Sequence, residues 1–354
     1  MFLLRKNLHD IASDASEGKG QVPAVKRIAV LLVAHGEAET AGFLENCRVS
    51  MHTLRHASKV MPIPPYLQAF ISINSSLRKK IRRDLAFEGS PHNRITRKLA
   101  AVLQEHLDEH DPDADCTFDV MAAFSASVPY VENTIESTRE YDGQIIVSLS
   151  PVENSLTCGL LCEYLSAAYR PEELQRVKVI SGLWRDDDLC RLYVGHLFGN
   201  CADFSDHPKE NNTLILLFHG TLVRDGSGKS PGFRTGAEET ARFAGKLTSA
   251  VMSDLRNPFG SVMTAYLNHD VGGVWSKPSF EEVCSSLFPE GRGMTALFAA
   301  GYFADGNETI HRSLEFSRSN PARQVRAIPC LNAGRSFARF LAGRVKAASR
   351  QIML

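Results

Sequence analysis

The sequence has no excess of charge of either sign, because 40 lysine and arginine residues balance 40 aspartate and glutamate residues across 354 positions. Without a net positive field, the chain has no general attraction for nucleic acid or for an anionic membrane surface. Long apolar runs are also missing, since the longest, residues 28–34, is far shorter than the ~20 residues that cross a bilayer. These absences favour a small-molecule partner. Peripheral contact between an apolar surface of the protein and a membrane is the one membrane interaction that these absences do not exclude.

Cysteine pairs of the kind that hold zinc are absent. The eight cysteines are scattered, without CxxC pairs or the dense spacing of a disulfide scaffold, which indicates a reducing, cytoplasmic compartment. Cys158 and Cys162 lie one helical turn apart, and a place in the core is the preferred interpretation because two ligands do not close a metal site. The residues after Met1 lack the roughly 7–15 apolar residues of a secretion signal, so no such signal is expected.

The apolar content is sufficient for two domains. A hydrophobic fraction of 44% over 354 residues can fill two cores. Residues 1–25 predict a mobile N-terminal arm, before a fold that begins near Lys26. We expect an N-terminal lobe over residues 26–170, a C-terminal lobe over residues 171–335 and a C-terminal helix over residues 336–354, where apolar residues recur at helical spacing.

Two continuous apolar runs, residues 28–34 and 214–218, end in the same His-Gly pair, which contains His35 in the first run and His219 in the second. Continuous apolar residues are typical of strands buried on both faces of a parallel sheet. This internal repeat predicts an α/β fold of two similar lobes. Further strands are predicted at residues 144–149, 177–180, 260–266 and 294–300, and helices at residues 96–109, 129–139, 237–252 and 307–317.

The two histidines lie where α/β proteins bind ligands. In open α/β sheets the ligand crevice lies beyond the carboxyl ends of the strands, and both His-Gly pairs follow strands directly. Gly36 and Gly220 permit the tight turn that exposes the preceding imidazole. We therefore expect His35 and His219 to face one cleft from opposite lobes.

His219 is the first candidate for catalysis, since an imidazole with a pKa near ~6.5 accepts protons at neutral pH or binds a borderline metal. A structural histidine at the strand end is the alternative. Glu308 follows Asp305 by three residues, and it either works with His219 or serves as the glutamate of a helix capping box. Trp275 follows a glycine pair and is either an apolar wall for a flat aromatic ligand or a packed surface tryptophan.

The order and spacing of these motifs resemble the ferrochelatase family. The matching features are His219-Gly220 at a strand end, the strand at 260–266, Trp275 with Pro278, Phe303-Ala304-Asp305 with Glu308-Thr309 and, more loosely, Gly89-Ser90-Pro91 and Pro151. The resemblance covers residues 27–335 and implies two Rossmann-like lobes, each with a parallel sheet flanked by helices, and a porphyrin between them. It implies insertion of ferrous iron into protoporphyrin IX or coproporphyrin III in haem biosynthesis. Iron and porphyrin are then substrates, with no tightly bound cofactor and no iron–sulfur cluster.

The resemblance implies catalytic roles for His219 and Glu308. Metallation releases two pyrrole protons, so a base must lie beside the macrocycle, and a neighbouring carboxylate can hold charge or guide the protons. The family more often has Tyr or Met at His35, close to the metal on the opposite face. Because iron accepts imidazole, the implied metal ligands are His219, Glu308 and His35, with strand capping as the alternative for His35. The residues expected to contact the porphyrin are His35, Arg55, Ser90, Tyr266 and Trp275.

Two departures from the family pattern leave other functions open. Residues 152–154 read Val-Glu-Asn where the family has Gln or His, an aromatic residue and Ser. Arg312 interrupts the row of carboxylates beyond the catalytic glutamate, so Asp305 or Glu315 would have to substitute. The alternatives are a non-catalytic porphyrin- or haem-binding homologue and a chelatase for cobalt or nickel. A histidine phosphatase is more distant, because Ala34 stands where an arginine is needed to bind phosphate.

Overall fold

The computed structural model describes residues 25–61, 63–81, 89–109, 116–269, 272–286, 293–319 and 324–353. The predicted N-terminal arm, apart from its last residue, lies outside these ranges. The strands are β1 (Lys26–Ala34), β2 (Cys116–Phe124), β3 (Gly143–Ser148), β4 (Val177–Ile180), β5 (Thr213–His219), β6 (Leu222–Arg224), β7 (Ser261–Leu267), β8 (Val274–Trp275), β9 (Met294–Phe298) and β10 (Gln324–Ile328). The helices are α1 (Phe43–Ser58), α2 (Pro65–Ile81), α3 (His92–Asp108), α4 (Val131–Ser137), α5 (Leu160–Ala168), α6 (Pro171–Leu174), α7 (Asp187–Gly199), α8 (Ala237–Ser253), α9 (Phe280–Ser286), α10 (Asn307–Ser319) and α11 (Arg335–Met353).

Two four-stranded parallel sheets form the centres of two lobes. The strand order is β2-β1-β3-β4 in the first sheet and β10-β9-β5-β7 in the second, and every pairing within them is parallel. Helices pack against the strands of both sheets. The predicted α/β fold of two Rossmann-like lobes is confirmed. The first sheet continues past residue 170, where the sequence placed the end of the first lobe, because β4 pairs with β3.

The two strands that end in His-Gly are buried on both faces. In β1, Val30 packs into one hydrophobic cluster and Leu31 into another on the opposite side of the sheet. In β5, Leu216 and Leu217 divide between two clusters in the same way. This two-sided burial explains why both runs are continuously apolar. Val30 and Leu216 belong to one shared cluster, so the lobes pack on a common core.

The edge strands β2 and β10 were not predicted from the sequence. β10 is exposed at three of its five positions and β2 at one, and polar residues such as Asp119 in β2 and Arg326 in β10 interrupt the apolar pattern. Strands at a sheet edge can carry such residues because one side faces solvent. Cys158 and Cys162 also differ from expectation, since neither is buried and Cys162 is exposed. The thiols lie 3.6 Å apart on the outer side of their helical turn, so the core interpretation is wrong.

The C-terminal helix α11 is confirmed, and it packs on the first lobe. It contacts α3, β3 and β4 as well as α7. Phe337, Leu341 and Val345 are buried at the helical spacing that predicted it. The end of the chain thus completes the lobe that the start of the chain builds.

Helix α2 has its polar and apolar faces reversed. Gln68, Ser72 and Ser76, spaced four residues apart, are its buried residues. Large apolar side chains point outward instead, and we call this exposed set the α2 stripe: Tyr66, Leu67, Phe70, Ile73, Leu77 and Ile81. None of the helices in the described ranges is long and apolar enough to cross a membrane.

Candidate active site

A cavity of about 1920 Å³ lies between the carboxyl ends of the two sheets. It exceeds the roughly 300–1,000 Å³ of an ordinary small-molecule pocket. His35, directly after β1, and His219, the last residue of β5, both line it. The prediction that these imidazoles face one cleft from opposite lobes is confirmed. The space is therefore suited to a large ligand held between the lobes.

Three side chains on one wall of the cavity converge on a common point. Ligand atoms of His219, His269 and Glu308 all lie within 4.8 Å of one another. The Nε2 atoms of His219 and His269 are 3.3 Å apart. His269 follows the end of β7, and Glu308 is the second residue of α10, so three elements of the second lobe build the cluster. Two imidazoles and a carboxylate can together bind a divalent transition metal.

His269 was not identified from the sequence. It lies two residues beyond β7, at the same sheet edge as His219, because β5 and β7 are paired with His219 opposite Leu267. A search for titratable residues just after every predicted strand would have found it. His269 is followed by Asp270 and so lacks the His-Gly pattern that marks His35 and His219.

The orientation of the His219 ring is fixed by its own loop. Its Nδ1 lies 2.7 Å from the carbonyl oxygen of Gly220, which can only accept, so Nδ1–H donates. In the neutral ring Nε2 then carries the lone pair that faces the cluster. Gly220 is required by close approach, since a Cβ there would lie 2.6 Å from the carbonyl oxygen of Leu267. The local backbone thus presents one nitrogen of His219 to the cavity.

Tyr302 orients the carboxylate of Glu308. Its hydroxyl donates to Glu308 Oε2 at 2.6 Å. Burial, together with the neighbouring Glu308 charge, raises the pKa of Tyr302 well above its usual range, so the phenol keeps its proton and remains a donor. The alternative role in a capping box is not observed. The amide of Gly306 donates to Thr309 Oγ1 instead, and the Glu308 side chain points to Tyr302.

His35 lies on the opposite wall, outside the three-residue cluster. The structure groups His219 and Glu308 with His269 rather than with His35, because β1 and β5 belong to different sheets. His35 Nε2 is 3.2 Å from Thr53 Oγ1. The ring is exposed to the open cavity, but the protein around it displaces water and lowers its pKa to about 4, against an opposing effect of Glu37. His35 is therefore neutral at physiological pH.

The five residues expected to contact a ligand divide into two groups. His35 and Trp275 line the cavity, and the Trp275 ring packs edge-on against His269 at 5.5 Å. Arg55, Ser90 and Tyr266 are not among the described residues that line it.

Each of the three residues outside the cavity lining has a physical reason for its position. Tyr266 lies opposite Phe218 in the β5–β7 register and packs beside it in the core. Ser90 is buried and donates its hydroxyl to Glu37. Arg55 lies on the exposed side of α1. Their positions do not support the expected contacts with a porphyrin.

The positions that depart from the family pattern make ion pairs and hydrogen bonds. Arg312 lines the cavity and pairs with Glu315 at 3.2 Å. Asp305 instead accepts a hydrogen bond from Asn332 Nδ2 at 2.7 Å, which ties its loop to the segment after β10. Of the two carboxylates considered as substitutes, Glu315 is the one on the cavity wall. Glu153 is buried and pairs with Arg185 and, across the lobes, with Arg234.

Comparison with known proteins identifies similar molecules. The model of the ferrochelatase family matches residues 27–349. The solved structure of CbiX, described as the terminal enzyme for biosynthesis of siroheme in denitrifying bacteria, is similar with a TM-score of 0.50 at 17% identity, covering 90% of this chain and 99% of CbiX. SirB from Bacillus subtilis with Fe3+ has a TM-score of 0.46 at 12% identity, covering 90% of this chain and 94% of SirB. No curated protein sequence matches the chain.

Proposed function

The chain belongs to the ferrochelatase family and is a metal chelatase acting on a tetrapyrrole, and from that premise we propose that it inserts ferrous iron into a porphyrin in haem biosynthesis. The observation that carries this proposal is the cluster of His219, His269 and Glu308 on the wall of a large, mainly apolar cavity. A flat macrocycle buries its faces against apolar walls, and a metal needs ligands beside it. The site combines both requirements.

The cluster is the proposed docking place for the substrate metal. Ferrous iron binds imidazole nitrogen and carboxylate oxygen readily, and such a set also suits cobalt and nickel. The Nε2 of His219 is directed to this point by the hydrogen bond from Nδ1 to Gly220. The ion waits here until the pyrrole nitrogens replace the protein ligands.

The same ligands take the protons that leave the macrocycle. Insertion of a divalent ion replaces two pyrrole protons, so one imidazole or carboxylate freed by the ion is available for each proton. His219 accepts one proton at Nε2, and Glu308 accepts the other or passes it outward. Tyr302 holds the Glu308 carboxylate in place during the exchange. The net charge of the macrocycle is thereby unchanged, because it gains the two positive charges of the ion and releases two protons.

His35 and Trp275 complete the walls around the macrocycle. Because the pKa of His35 is lowered to about 4, its ring offers a neutral nitrogen at physiological pH and contacts the metal or the macrocycle from the face opposite His219. Trp275 places an aromatic surface beside His269. Both roles follow from their places on the cavity wall.

An anaerobic optical assay tests the proposal. Purified protein is mixed with Fe2+, Co2+ or Ni2+ and with protoporphyrin IX or coproporphyrin III, and the porphyrin absorption bands report metallation. Turnover with iron is expected. Turnover only with cobalt or nickel would show that the protein is a chelatase for one of those metals. Tight porphyrin binding without turnover would show that it is a non-catalytic binding protein. The more distant phosphatase interpretation is removed by the family match.

The α2 stripe is the surface that we assign to peripheral membrane contact. Helix α2 contains no acidic residue and has Arg78, Lys79 and Lys80 in its last turn, so its charge complements an anionic bilayer. Phe70 and Ile81 are 63% and 70% exposed, the positions from which side chains would enter the lipid interface. Leu67, on the same helix, also lines the cavity. An apolar substrate can therefore pass from the bilayer to the site along one helix.

A further inference from the structure

Glu37 connects the two lobes beside the metal-binding cluster. It lies two residues after His35 in the first lobe, and its Oε2 accepts a 2.8 Å hydrogen bond from the backbone N–H of Asn307. Asn307 is the first residue of α10 in the second lobe, and the next residue is Glu308. A negative charge at the start of a helix is stabilised by the aligned peptide dipoles. One carboxylate thus links the loop that carries His35 to the helix that carries Glu308.

The first lobe holds Glu37 in a fixed position. Its backbone N–H donates to Asn93 Oδ1 at 2.9 Å, and Asn93 Nδ2 donates back to the Glu37 carbonyl at 2.8 Å. The Ser90 hydroxyl donates to the same Oε2 that Asn307 uses. Ser90 and Asn93 are 4% and 1% exposed, so water does not compete for these bonds. Buried hydrogen bonds from the first lobe therefore hold the Glu37 carboxylate in place.

The second lobe is shaped to receive this carboxylate. A Cβ at Gly306 would lie 2.9 Å from Glu37 Oε1, so a larger residue there would displace the carboxylate. The N–H of Asn307 has no acceptor within its own helix, because the first N–H groups of a helix never do. Glu37 supplies that acceptor from the other lobe.

We propose that Glu37 is a positioning residue that sets the gap between His35 and the cluster of His219, His269 and Glu308. The inference rests on the proposed function and deepens it. All three cluster residues belong to the second lobe, so their mutual distances do not depend on Glu37, whereas the distance from them to His35 does. A macrocycle between these walls must lie correctly against both, and a misplacement of ~1 Å can cost ~10²-fold in rate.

Three variants test the inference: Glu37→Ala, Glu37→Gln and Asn307→Pro. Glu37→Ala should lower kcat by about 10–100-fold. The affinity for Co2+ without porphyrin, read from its visible absorption, should change less than about twofold, because its ligands lie in one lobe. Glu37→Gln should recover most of the rate, since its side-chain carbonyl can still accept from Asn307. Glu136→Ala, at an exposed ion pair with Arg139, is the matched control and should keep full activity.

Asn307→Pro removes the N–H donor at a helix position where proline is tolerated. It should lower kcat alone but add nothing in the Glu37→Ala background if both act through this one hydrogen bond. Unchanged kcat in folded Glu37→Ala, or an equal loss of kcat and Co2+ affinity, would overturn the inference while leaving the proposed function intact. If the wild-type protein metallates no porphyrin, the proposed function fails instead. In that case the inference about Glu37 is tested by measuring porphyrin affinity through fluorescence quenching. Glu37→Ala is expected to bind porphyrin about tenfold more weakly than wild type. Equal affinity would overturn the inference.

Discussion

The Nε2 atoms of His219 and His269 lie 3.3 Å apart, a distance at which one imidazole N–H can donate to the other ring's lone pair. His219 donates from Nδ1 to Gly220, so in the neutral state its Nε2 accepts and His269 donates. A divalent ion can replace that shared proton. Two protonated rings at this distance would repel each other, so acid and metal compete for the same nitrogens.

Replacing His269 with alanine should weaken metal binding. The variant loses one of the three proposed ligands, so Co2+ affinity should fall by more than the ~10–100-fold that the loss of an outer-shell partner costs. Titration of Co2+ followed by its visible absorption measures this. His207→Ala, at a histidine outside the cavity lining, is the control. A wild-type Co2+ spectrum and affinity in His269→Ala would show that this imidazole is not a ligand.

Replacing His219 with alanine should abolish iron insertion while porphyrin still binds. We expect apolar contact to supply most of the binding energy and the imidazole to act when the pyrrole protons leave, a kind of group that contributes ~10²–10⁴-fold in rate. Anaerobic turnover and fluorescence titration of the porphyrin are measured on the same preparation. Turnover equal to wild type would remove His219 from the mechanism.

Glu308 and Tyr302 should act as a unit. Glu308→Gln should strongly reduce turnover because an amide cannot accept the proton. Tyr302→Phe removes a hydrogen bond to a charged group, worth ~1.5–3 kcal/mol, so turnover should fall about 10–100-fold. In the double variant the losses should not add. Additive losses, or a change in thermal stability alone, would contradict the coupling between these two side chains.

His35 should make stability depend on pH in a defined window. Burial lowers the pKa of the folded state to about 4 from 6.5. The unfolded chain therefore binds the proton first as the pH falls, so folding stability from this group is lost between about pH 6.5 and pH 4 and no further below that range. Urea unfolding at pH 7 and pH 4.5 should show a smaller loss for His35→Gln than for wild type. An equal loss of stability in both proteins would show that a group other than His35 causes the pH dependence.

The α2 stripe should bind anionic vesicles. Burial of a large apolar side chain contributes ~1.5–3 kcal/mol, so the double variant Phe70→Ser, Ile73→Ser should reduce binding by at least about tenfold. Co-sedimentation with phosphatidylserine–phosphatidylcholine vesicles measures it, and added salt should weaken it. Leu255→Ser removes an exposed leucine from the loop after α8 and should have no effect. Equal binding to neutral vesicles would contradict the role of the basic residues.

The sequence predicted all four central strands and the edge strands β4 and β7, but it missed the edge strands β2 and β10. β1 is apolar over residues 28–34 and β5 over residues 214–218 because both faces of each sheet are covered there, and that burial is visible in one sequence. β2 and β10 were missed because polar residues such as Asp119 and Arg326, which an edge strand can carry, mask their strand pattern. The reversed faces of α2 also could not be predicted, because a helical period does not state which side will be covered.

The sequence predicted only those residues of the site that belong to a recognisable motif. His219 and Glu308 were identified by their places after strands and by resemblance, and the structure brings them together. His269 has no motif of its own and joins the cluster only through the pairing of β5 with β7. Ser90 and Tyr266 carry plausible side chains, but their direction depends on Glu37 in one case and on the β-strand register in the other.

The packing of α11 has a consequence for how the protein is made. The strands of the first sheet leave the ribosome early, yet α11, which covers α3, β3 and β4, follows every other helix in the described ranges. Until residues 335–353 emerge, the apolar surface that Phe337 and Leu341 later cover stays open to water and to other nascent chains. The sheet that is synthesised first is therefore covered after the second sheet is complete, and a chain truncated just before α11 keeps all four strands of the second sheet but leaves the first lobe uncovered where α11 packs.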